Sequence, residues 1–367
     1  MFTIGVEEEY QLVDAQTREL KPRGSRVLHA LPDDVESQAS NELFLSQIEV
    51  ATQVCATLGE VRAQLSSLRK SVIEAARAQN CLLLASSTHP FSRTDEQIVT
   101  PKSRYLDMAE NYQQLAREHL ICGCHVHVGI ADREMAIEVM NRARGWLAPL
   151  VALAANSPFW QGDDTGYASF RIEVWRRWPM AGSPQIFTSR AEYDALVRVL
   201  VDTNSISDET KIYWDIRPAD RFETLEFRAT DVGLSLDDAV LIAALTRALA
   251  QTCYEDALLD RERNAVFNAP RGEILRAAEW RAARYGLEGR LIDVHVGQEV
   301  SAHELVAELL SFVREALESA GDWDEISSLT QRVLIDGNGA IRQRRAFEKQ
   351  GDLKDVVDLI ARETARN

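Results

Sequence analysis

Cysteine, proline and long apolar runs are all scarce in this chain of 367 residues. Its five cysteines, at positions 55, 81, 122, 124 and 253, are too few and too scattered for a disulfide framework or a complete zinc site. No stretch reaches the roughly 18 apolar residues that a membrane helix needs, and the N-terminal residues lack the pattern of a signal peptide. We therefore expect a soluble, cytoplasmic protein that does not act on membranes.

Basic residues are in deficit as well. Lys and Arg number 41 against 57 Asp and Glu, which gives a formal net charge of -16. A surplus of acid on this scale argues against a nucleic-acid partner, but it suits a protein that holds divalent cations. The 10 prolines mark no linker, and the sequence contains no repeat. We predict a single domain over residues 1–367.

Hydrophobic periodicity predicts an α+β fold. Alternating apolar and polar residues predict strands at 3–13, 121–130, 211–217 and 222–230, with shorter ones near 47–50 and 82–87. Helical stripes cover 57–78 and 134–155. A capping box predicts a helix start after Ser189, and the sequences at Ser235 and Ser301 also predict helix starts, so the last third is mostly helical. Strands with unequal connections followed by helices indicate a largely antiparallel sheet.

The polar faces of the predicted strands concentrate glutamate and histidine. Side chains of a strand alternate between two faces, and Glu8 is then the exception, a charge on the apolar side. A solvated sheet face would explain plain alternation, but not this choice of residues. The polar-face residues that could bind a ligand or take part in catalysis are Glu7, Glu9, Glu49, His125, His127, Lys211, Glu226 and Arg228.

Carboxylates gathered on one surface repel each other, and their pKa values rise unless cations intervene. Sites rich in carboxylate and poor in nitrogen select hard ions, so we expect Mg²⁺, with Mn²⁺ as an alternative. Lys211 and Arg228 could meet the anionic oxygens of a substrate. The His125-x-His127 pair also occurs in metal-dependent hydrolases, which leaves that reaction class open. No G-x-S-x-G elbow and no P-loop are present in the sequence.

An irregular stretch at 156–171 combines glycines, aspartates and aromatic residues and ends at Arg171. One interpretation is a surface loop packed by its own aromatic residues. The other is a flexible cover over an anionic substrate, with Arg171 as a planar clamp for a carboxylate.

Five ordered motifs resemble the carboxylate–amine ligases of the glutamate–cysteine ligase type 2 family. They are Gly5-Val-Glu-Glu-Glu-Tyr10, Cys122-Gly-Cys-His-Val-His-Val-Gly129, Asn156-Ser-Pro-Phe-Trp with Tyr167-Ala-Ser-Phe-Arg171, Trp214-Asp-Ile-Arg-Pro218 and Thr224-Leu-Glu-Phe-Arg228. The resemblance is collinear over about residues 5 to 290. It implies a glutamine synthetase-like fold, in which a curved antiparallel sheet carries metal ions, ATP and an amino acid on its inner face and helices on its outer face.

The resemblance also implies a role for each matching residue. Glu7 and Glu9 would bind separate metal ions, Glu49 would join Glu9, and His125 and Glu226 would join Glu7. Glu42 would be an additional ligand. Arg228 would contact the transferred phosphate or the substrate, with Glu226 beside it in catalysis, and Arg171 would hold the substrate carboxylate. We place His127 and Lys211 with the nucleotide.

The activity implied is an ATP-dependent ligation. ATP would convert a carboxylate, that of glutamate, into an acyl phosphate, which an amine such as cysteine then attacks. Phosphoryl transfer needs positioning and charge neutralisation rather than a covalent nucleophile, which agrees with these residues. The partners expected are amino-acid substrates and, by resemblance, a second copy of the chain in a homodimer. The alternatives are a hydrolase built on His125 and His127 and a non-catalytic domain that binds metal or nucleotide. Consumption of ATP separates the ligase from the hydrolase, and turnover of any kind separates both enzymes from the binding domain.

Overall fold

The computed structural model describes residues 2–366. The strands are β1 (Ile4–Asp14), β2 (Ala39–Asn41), β3 (Gln47–Ala51), β4 (Cys81–Leu84), β5 (Gly123–Gly129), β6 (Phe159–Trp160), β7 (Asp163–Asp164), β8 (Ala181–Gly182), β9 (Tyr213–Trp214), β10 (Ile216–Pro218), β11 (Thr224–Asp231), β12 (Arg290–Asp293) and β13 (Gln298–Ser301).

The helices are α1 (Gly24–Leu28), α2 (Asp33–Glu36), α3 (Leu58–Ala78), α4 (Ser103–Tyr112), α5 (Gln114–Arg117), α6 (Arg133–Ala143), α7 (Leu147–Ala154), α8 (Phe170–Trp175), α9 (Arg190–Asp202), α10 (Leu236–Arg263), α11 (Gly272–Tyr285), α12 (Ala302–Phe312), α13 (Arg314–Ala320), α14 (Trp323–Asp336), α15 (Gly339–Gln350) and α16 (Leu353–Thr364). Short 3₁₀ helices occupy Thr94–Glu96, Arg144–Trp146, Glu209–Lys211 and Gly286–Glu288. None of the helices within residues 2–366 is both long and apolar enough to cross a bilayer.

A seven-stranded sheet forms the centre of the fold. Its strand order is β10-β11-β5-β1-β3-β2, and β4 pairs with the C-terminal part of β1. Every pairing in this sheet is antiparallel. The prediction of an α+β fold with a mostly antiparallel sheet and a helical C-terminal region is therefore confirmed.

One face of the sheet is buried beneath helices. Apolar residues that alternate along β1, β5 and β11 join one core with α6, α7 and α10, and they include Ile4, Val6, Val126, Val128, Leu225 and Phe227. The helix starts predicted at Ser235 and Ser301 are confirmed, and each of them has a capping box. At Ser189 the side chain caps α9, but the carboxylate of Glu192 binds Thr188 instead of closing the box. The helices thus cover the face opposite the predicted site.

Glu8 lies on this covered face and is fully buried. It forms an ion pair with Arg69, whose Nε lies 2.9 Å from Glu8 Oε2, and the Tyr10 hydroxyl donates to the same oxygen at 2.6 Å. Arg69 also donates to the carbonyl oxygen of Gly233 at 3.0 Å. Arg69 comes from the apolar stripe of α3, so two charges that break two apolar patterns neutralise each other in the core.

The predicted strand 211–217 is wrong in its first part. Lys211 ends a 3₁₀ helix that Asp208 caps through the backbone N–H of Thr210, and pairing in the main sheet starts only at Ile216. Arg217 donates to the backbone carbonyls of Thr210 and Ile212. Because side chains occupy these backbone groups, the segment does not extend the sheet.

Candidate functional site

A cavity of about 410 Å³ opens on the polar face of the sheet. We call it the carboxylate cavity. Its charged and imidazole lining residues are Glu7, Glu9, Glu42, Glu49, Arg104, His119, His125, His127, Arg171, Arg217, Asp220, Arg221, Glu226 and Arg228. Every site residue predicted from the sequence is among them except Lys211. The cavity brings these residues together, while their individual roles stay predictions.

Strand register explains how residues distant in sequence meet here. Glu7 is paired with His125 on β5, and Glu9 is paired with Glu49 on β3. His127 is in turn paired with Glu226 on β11. Directly paired residues share a face of the sheet. The ladder therefore sets the acids and imidazoles side by side.

Glu7 is the centre of a short polar chain across three strands. His125 Nδ1 lies 3.1 Å from Glu7 Oε2, and His127 Nε2 lies 3.3 Å from Glu7 Oε1. His127 Nε2 is also 3.9 Å from Glu226 Oε1. Next to this chain, Glu9 Oε2 accepts a hydrogen bond of 2.7 Å from the backbone N–H of Gly123.

Three overlapping groups of side chains have donor atoms close enough to hold a cation. Within each group the candidate ligand atoms lie within 4.8 Å of one another. The groups are Glu7 with His127 and Glu226, Glu7 with Glu49 and His125, and Glu9 with Glu42 and Glu49. The third group agrees with the ligands predicted for one ion, Glu9, Glu49 and Glu42. The first two groups agree only in part with those predicted for the other ion, Glu7, His125 and Glu226. In particular His127, which we placed with the nucleotide, lies among the potential metal ligands.

The electrostatics of the cavity divide its acids into two kinds. Burial and then the charge of Glu42 raise the pKa of Glu9 to about 8. Burial and the charges of the other glutamates likewise raise the pKa of Glu49 well above its ordinary value, and burial raises that of Glu42. These three carboxylates have no ion pair with Arg or Lys anywhere in residues 2–366. They form the electrostatically unsatisfied part of the site.

Glu7 and Glu226 are of the other kind. Burial opposes ionisation of Glu7, but the two histidines outweigh it and hold its pKa well below the ordinary value. At Glu226, the charges of Arg228 and Arg217 outweigh burial and lower the pKa. Burial and Arg228 also lower the pKa of His125 to about 4, so its imidazole is neutral and has a lone pair to offer a cation.

Arg217 is a residue that the sequence analysis missed as part of the site. Its Nε lies 2.7 Å from Glu226 Oε2, while Arg228 forms an ion pair with the other oxygen, Oε1. Glu226 is thus held by two guanidinium groups as well as lying near His127. A cation at this carboxylate would have to share its oxygens with the arginines.

Arg171 reaches the carboxylate cavity from α8 and is buried. Its guanidinium donates to the backbone carbonyls of Arg228 at 3.1 Å and of Ala229 at 3.4 Å. Its Nε atom has no hydrogen-bond partner among residues 2–366. Arg171 is therefore oriented by β11, with donor capacity left over for a ligand.

The stretch at 156–171 is packed rather than open, which corrects its interpretation as a flexible cover. The buried carboxylate of Asp231, at the end of β11, accepts hydrogen bonds from Ser157 Oγ at 2.7 Å and from Ser169 Oγ at 2.8 Å. Ser157 Oγ in turn accepts from the backbone N–H of Arg171 at 3.1 Å. The segment positions Arg171 as a fixed part of the wall.

Lys211 lies outside the carboxylate cavity, which corrects the prediction that it shares a strand face with the site. It lines a neighbouring cavity of about 670 Å³. The reason is the local backbone: the 3₁₀ helix Glu209–Lys211 turns the side chain away from the strand alternation that we assumed.

An aromatic wall faces the carboxylates, and the sequence analysis missed it. The rings come from His119, Trp175, Trp178 and Tyr213, with Met108 beside them. The indole of Trp175 lies under two guanidinium groups, 5.7 Å from Cζ of Arg171 and 5.5 Å from Cζ of Arg228. An electron-rich ring between two cations lowers their mutual repulsion.

Comparisons with known proteins agree with this geometry. The sequence profile described as glutamate–cysteine ligase family 2 matches residues 3–359. A protein of Rhodopirellula baltica, provisionally named glutamate–cysteine ligase 2, is 40% identical over 99% of this chain and 96% of its own length. A protein of Herpetosiphon aurantiacus with the same provisional name is 40% identical over 99% of this chain and 93% of its own length.

Solved structures share the fold at much lower identity. A glutamate–cysteine ligase of Francisella tularensis in complex with AMP superposes with a TM-score of 0.74 at 13% identity, over 100% of this chain and 89% of that one. A bifunctional glutathione synthetase of Pasteurella multocida gives a TM-score of 0.67 at 16% identity, over 99% of this chain and 52% of that one. Both similarities are similarities of fold.

Proposed function

This chain belongs to the glutamate–cysteine ligase family 2, and from that premise we propose that it is an ATP- and Mg²⁺-dependent carboxylate–amine ligase. The acid we propose is glutamate and the amine is an amino acid such as cysteine, as the names of the relatives suggest. In the reaction ATP phosphorylates the carboxylate, and the amine displaces phosphate from the acyl phosphate. The fold is also that of a ligase whose structure contains AMP.

One observation carries the proposal. Four glutamates, two histidines and two arginines from separate strands face one cavity together with Glu42, which follows β2. Glu9, Glu42 and Glu49 form no ion pair with Lys or Arg within residues 2–366, whereas Glu226 forms two with Arg. Such an arrangement neutralises and positions anionic oxygens. It does not suit thiol chemistry, because Cys122 and Cys124 are buried and burial raises the pKa of both thiols well above the ordinary value.

The donor set fits Mg²⁺. Carboxylate oxygens outnumber imidazole nitrogens in all three groups, and hard divalent cations prefer oxygen. We propose that Glu9, Glu49 and Glu42 hold one ion, and that Glu7, His125 and Glu226 hold another. Bound there, the ions would neutralise the phosphate oxygens and assist their transfer.

The chain's own residues supply the remaining interactions. Arg228 offers a guanidinium to the phosphoryl group in transfer, and the backbone carbonyls around Arg171 keep that side chain aligned for a substrate carboxylate. Planar guanidinium groups can bind carboxylate or phosphate through two parallel hydrogen bonds. Glu226 fixes Arg228 through their ion pair. His127, whose Nε2 lies 3.3 Å from Glu7 and 3.9 Å from Glu226, would balance part of the negative charge of both carboxylates.

The test is release of ADP from ATP with pairs of amino acids, in Mg²⁺, in Mn²⁺ and in a chelator. We expect metal-dependent ADP release that needs both glutamate and an amine. A protein that releases no ADP with any pair, yet hydrolyses an amide or ester with metal alone, would be a hydrolase that uses His125 and His127. A protein without any turnover would be a binding domain.

A further inference from the structure

A second cavity adjoins the carboxylate cavity. It measures about 670 Å³ and lies between α4, the loop 204–208 and the 3₁₀ helix that ends at Lys211. Arg104, Met108, Thr210 and Arg221 line both cavities. We call this second cavity the annex. The two cavities therefore adjoin at these four side chains.

Lys211 is the unusual residue of the annex. Its exposed fraction is only 7%. Within the described part of the chain, its ammonium group has neither a hydrogen bond nor an ion pair. Its nitrogen is not among the polar atoms that are both buried and without a partner, so the aliphatic stem is covered while the ammonium group faces the open space of the annex. Burial, together with the nearby Arg104, lowers the Lys211 pKa.

The other charges of the annex do not neutralise Lys211. Arg104 and Arg221, which line the annex with it, form no ion pair in residues 2–366 either. Asp208 also lines the annex, but its carboxylate accepts hydrogen bonds from the backbone N–H of Thr210 at 3.0 Å and from Ser207 Oγ at 2.9 Å. Asp107 is exposed on α4. Among the described residues, the annex therefore has three cationic side chains and two acidic ones. The carboxylate of one of these acids, Asp208, is already hydrogen-bonded within its own turn.

We propose that the annex is a binding site for an anionic group of a substrate, with Lys211 and Arg104 as its ligands. The group is a phosphate or a carboxylate, because these are the anions that ammonium and guanidinium groups recognise in a small-molecule site. A cavity of this size takes a sizeable part of a molecule rather than a single ion. The assignment to a substrate rests on the proposed ligase function, but binding of an anion does not.

The first experiment measures sulfate binding to the metal-free full-length protein by calorimetry. The variants are Lys211→Met, which keeps the length of the side chain and favours folding in a buried position, Lys211→Arg, which keeps the charge, and the control Lys70→Met on the exposed surface of α3. We expect the affinity to fall about tenfold or more in Lys211→Met alone, since a hydrogen bond to a charged group is lost. Equal affinities in all the proteins, or no binding by the unaltered chain, would overturn the proposal.

The second experiment identifies the source of the anion. Michaelis constants for Mg-ATP, for glutamate and for two amines, cysteine and cysteamine, are measured with Lys211→Met and Lys70→Met. A raised constant for glutamate would identify one of its carboxylates as the anion. A raised constant for Mg-ATP would identify a phosphate. A raised constant for cysteine, but not for cysteamine, would identify a carboxylate, because the two amines differ by that group. Lost sulfate binding with all constants unchanged would overturn the assignment to a substrate. The sulfate titration needs no turnover, so failure of the ligase assay and failure of the anion site are distinguishable.

Discussion

Glu8 and Glu9 are adjacent in the chain, yet the two faces of β1 treat their carboxylates in opposite ways. On the core face, Glu8 is matched by one buried guanidinium and one hydroxyl. On the cavity face, burial and neighbouring acid raise the pKa of Glu9 to about 8. The comparison separates structural from functional charge. A fold neutralises the charges that it needs for itself, and acids left without a matching cation indicate where a ligand completes the site.

The largest expected effect concerns the ion pair on the core face of β1. Arg69→Met should lower the free energy of unfolding by about 3–5 kcal/mol, because it leaves the carboxylate of Glu8 buried without its partner. Urea denaturation measures this loss. The double variant Glu8→Gln with Arg69→Met should recover most of it. Arg77→Met, on the exposed side of the same helix, is the control, and equal stabilities of the Arg69 and Arg77 variants would contradict the assignment.

The next effect is on the cavity side and concerns rate rather than stability. Arg228→Ala should slow ADP release by about 10²-fold, as expected when one charged contact to a transition state is removed. The binding of Mg-ATP should change little, because Glu226 keeps its ion pair with Arg217. Single-turnover assays with saturating ATP measure the step. A normal rate would show that Arg228 only supports Glu226.

A third prediction contrasts the two neighbouring glutamates directly. Glu9→Gln should weaken Mg²⁺ binding by about tenfold or more, because a ligand charge is lost. It should also stabilise the metal-free protein at pH 9, because repulsion from Glu42 and Glu49 is relieved. Glu8→Gln should do the reverse, sparing Mg²⁺ affinity while lowering stability. Calorimetry and thermal unfolding in a chelator measure both properties, and the same pattern in both variants would refute the division of charge between the two faces.

The last prediction concerns the dependence of stability on pH. The pKa of Glu9 is about 8 in the folded chain and near 4.5 when unfolded, so the folded state holds a proton that the unfolded state has released. Stability of the metal-free protein should therefore fall as pH rises from 4.5 to 8, by about 1 kcal/mol per unit in the steepest part. Mg²⁺ should abolish the fall, because it replaces the proton. Thermal unfolding at pH 6 to 9, with chelator or Mg²⁺, checks the sign.

The alternation of residues was sufficient to predict the sheet and the face of the site. Glu7, Glu9, His125 and Glu226 occupy the face that parity assigned to them, because parity follows from backbone geometry alone. Partners across the fold were harder to predict. Arg69 was available as a signal, since it interrupts the apolar stripe of α3 just as Glu8 interrupts that of β1. Two misplaced charges of opposite sign are a reason to expect a pair.

Other features depend on contacts that periodicity does not encode. Lys211 left its predicted strand because Asp208 caps a tight turn and Arg217 occupies two carbonyl groups. The stretch at 156–171 became a packed wall because Asp231, more than sixty residues further along the chain, binds both of its serines. Side-chain bonds to distant backbone cannot be inferred from the local pattern of a single sequence.

The central position of β1 has a consequence for biosynthesis. β1 is translated well before its partner β5, which begins at Gly123, and before β11, which pairs with β5 and begins at Thr224. One edge of β1 can pair early with β3, whereas the other edge waits until β5, more than a hundred residues later, has been translated. Pairing over such a separation is slow. During that interval the unpaired edge of β1 is open to association with other nascent chains. The charges of the three consecutive glutamates repel a second copy of the strand. They would then limit aggregation during synthesis, before Glu7 and Glu9 line the cavity of the folded protein.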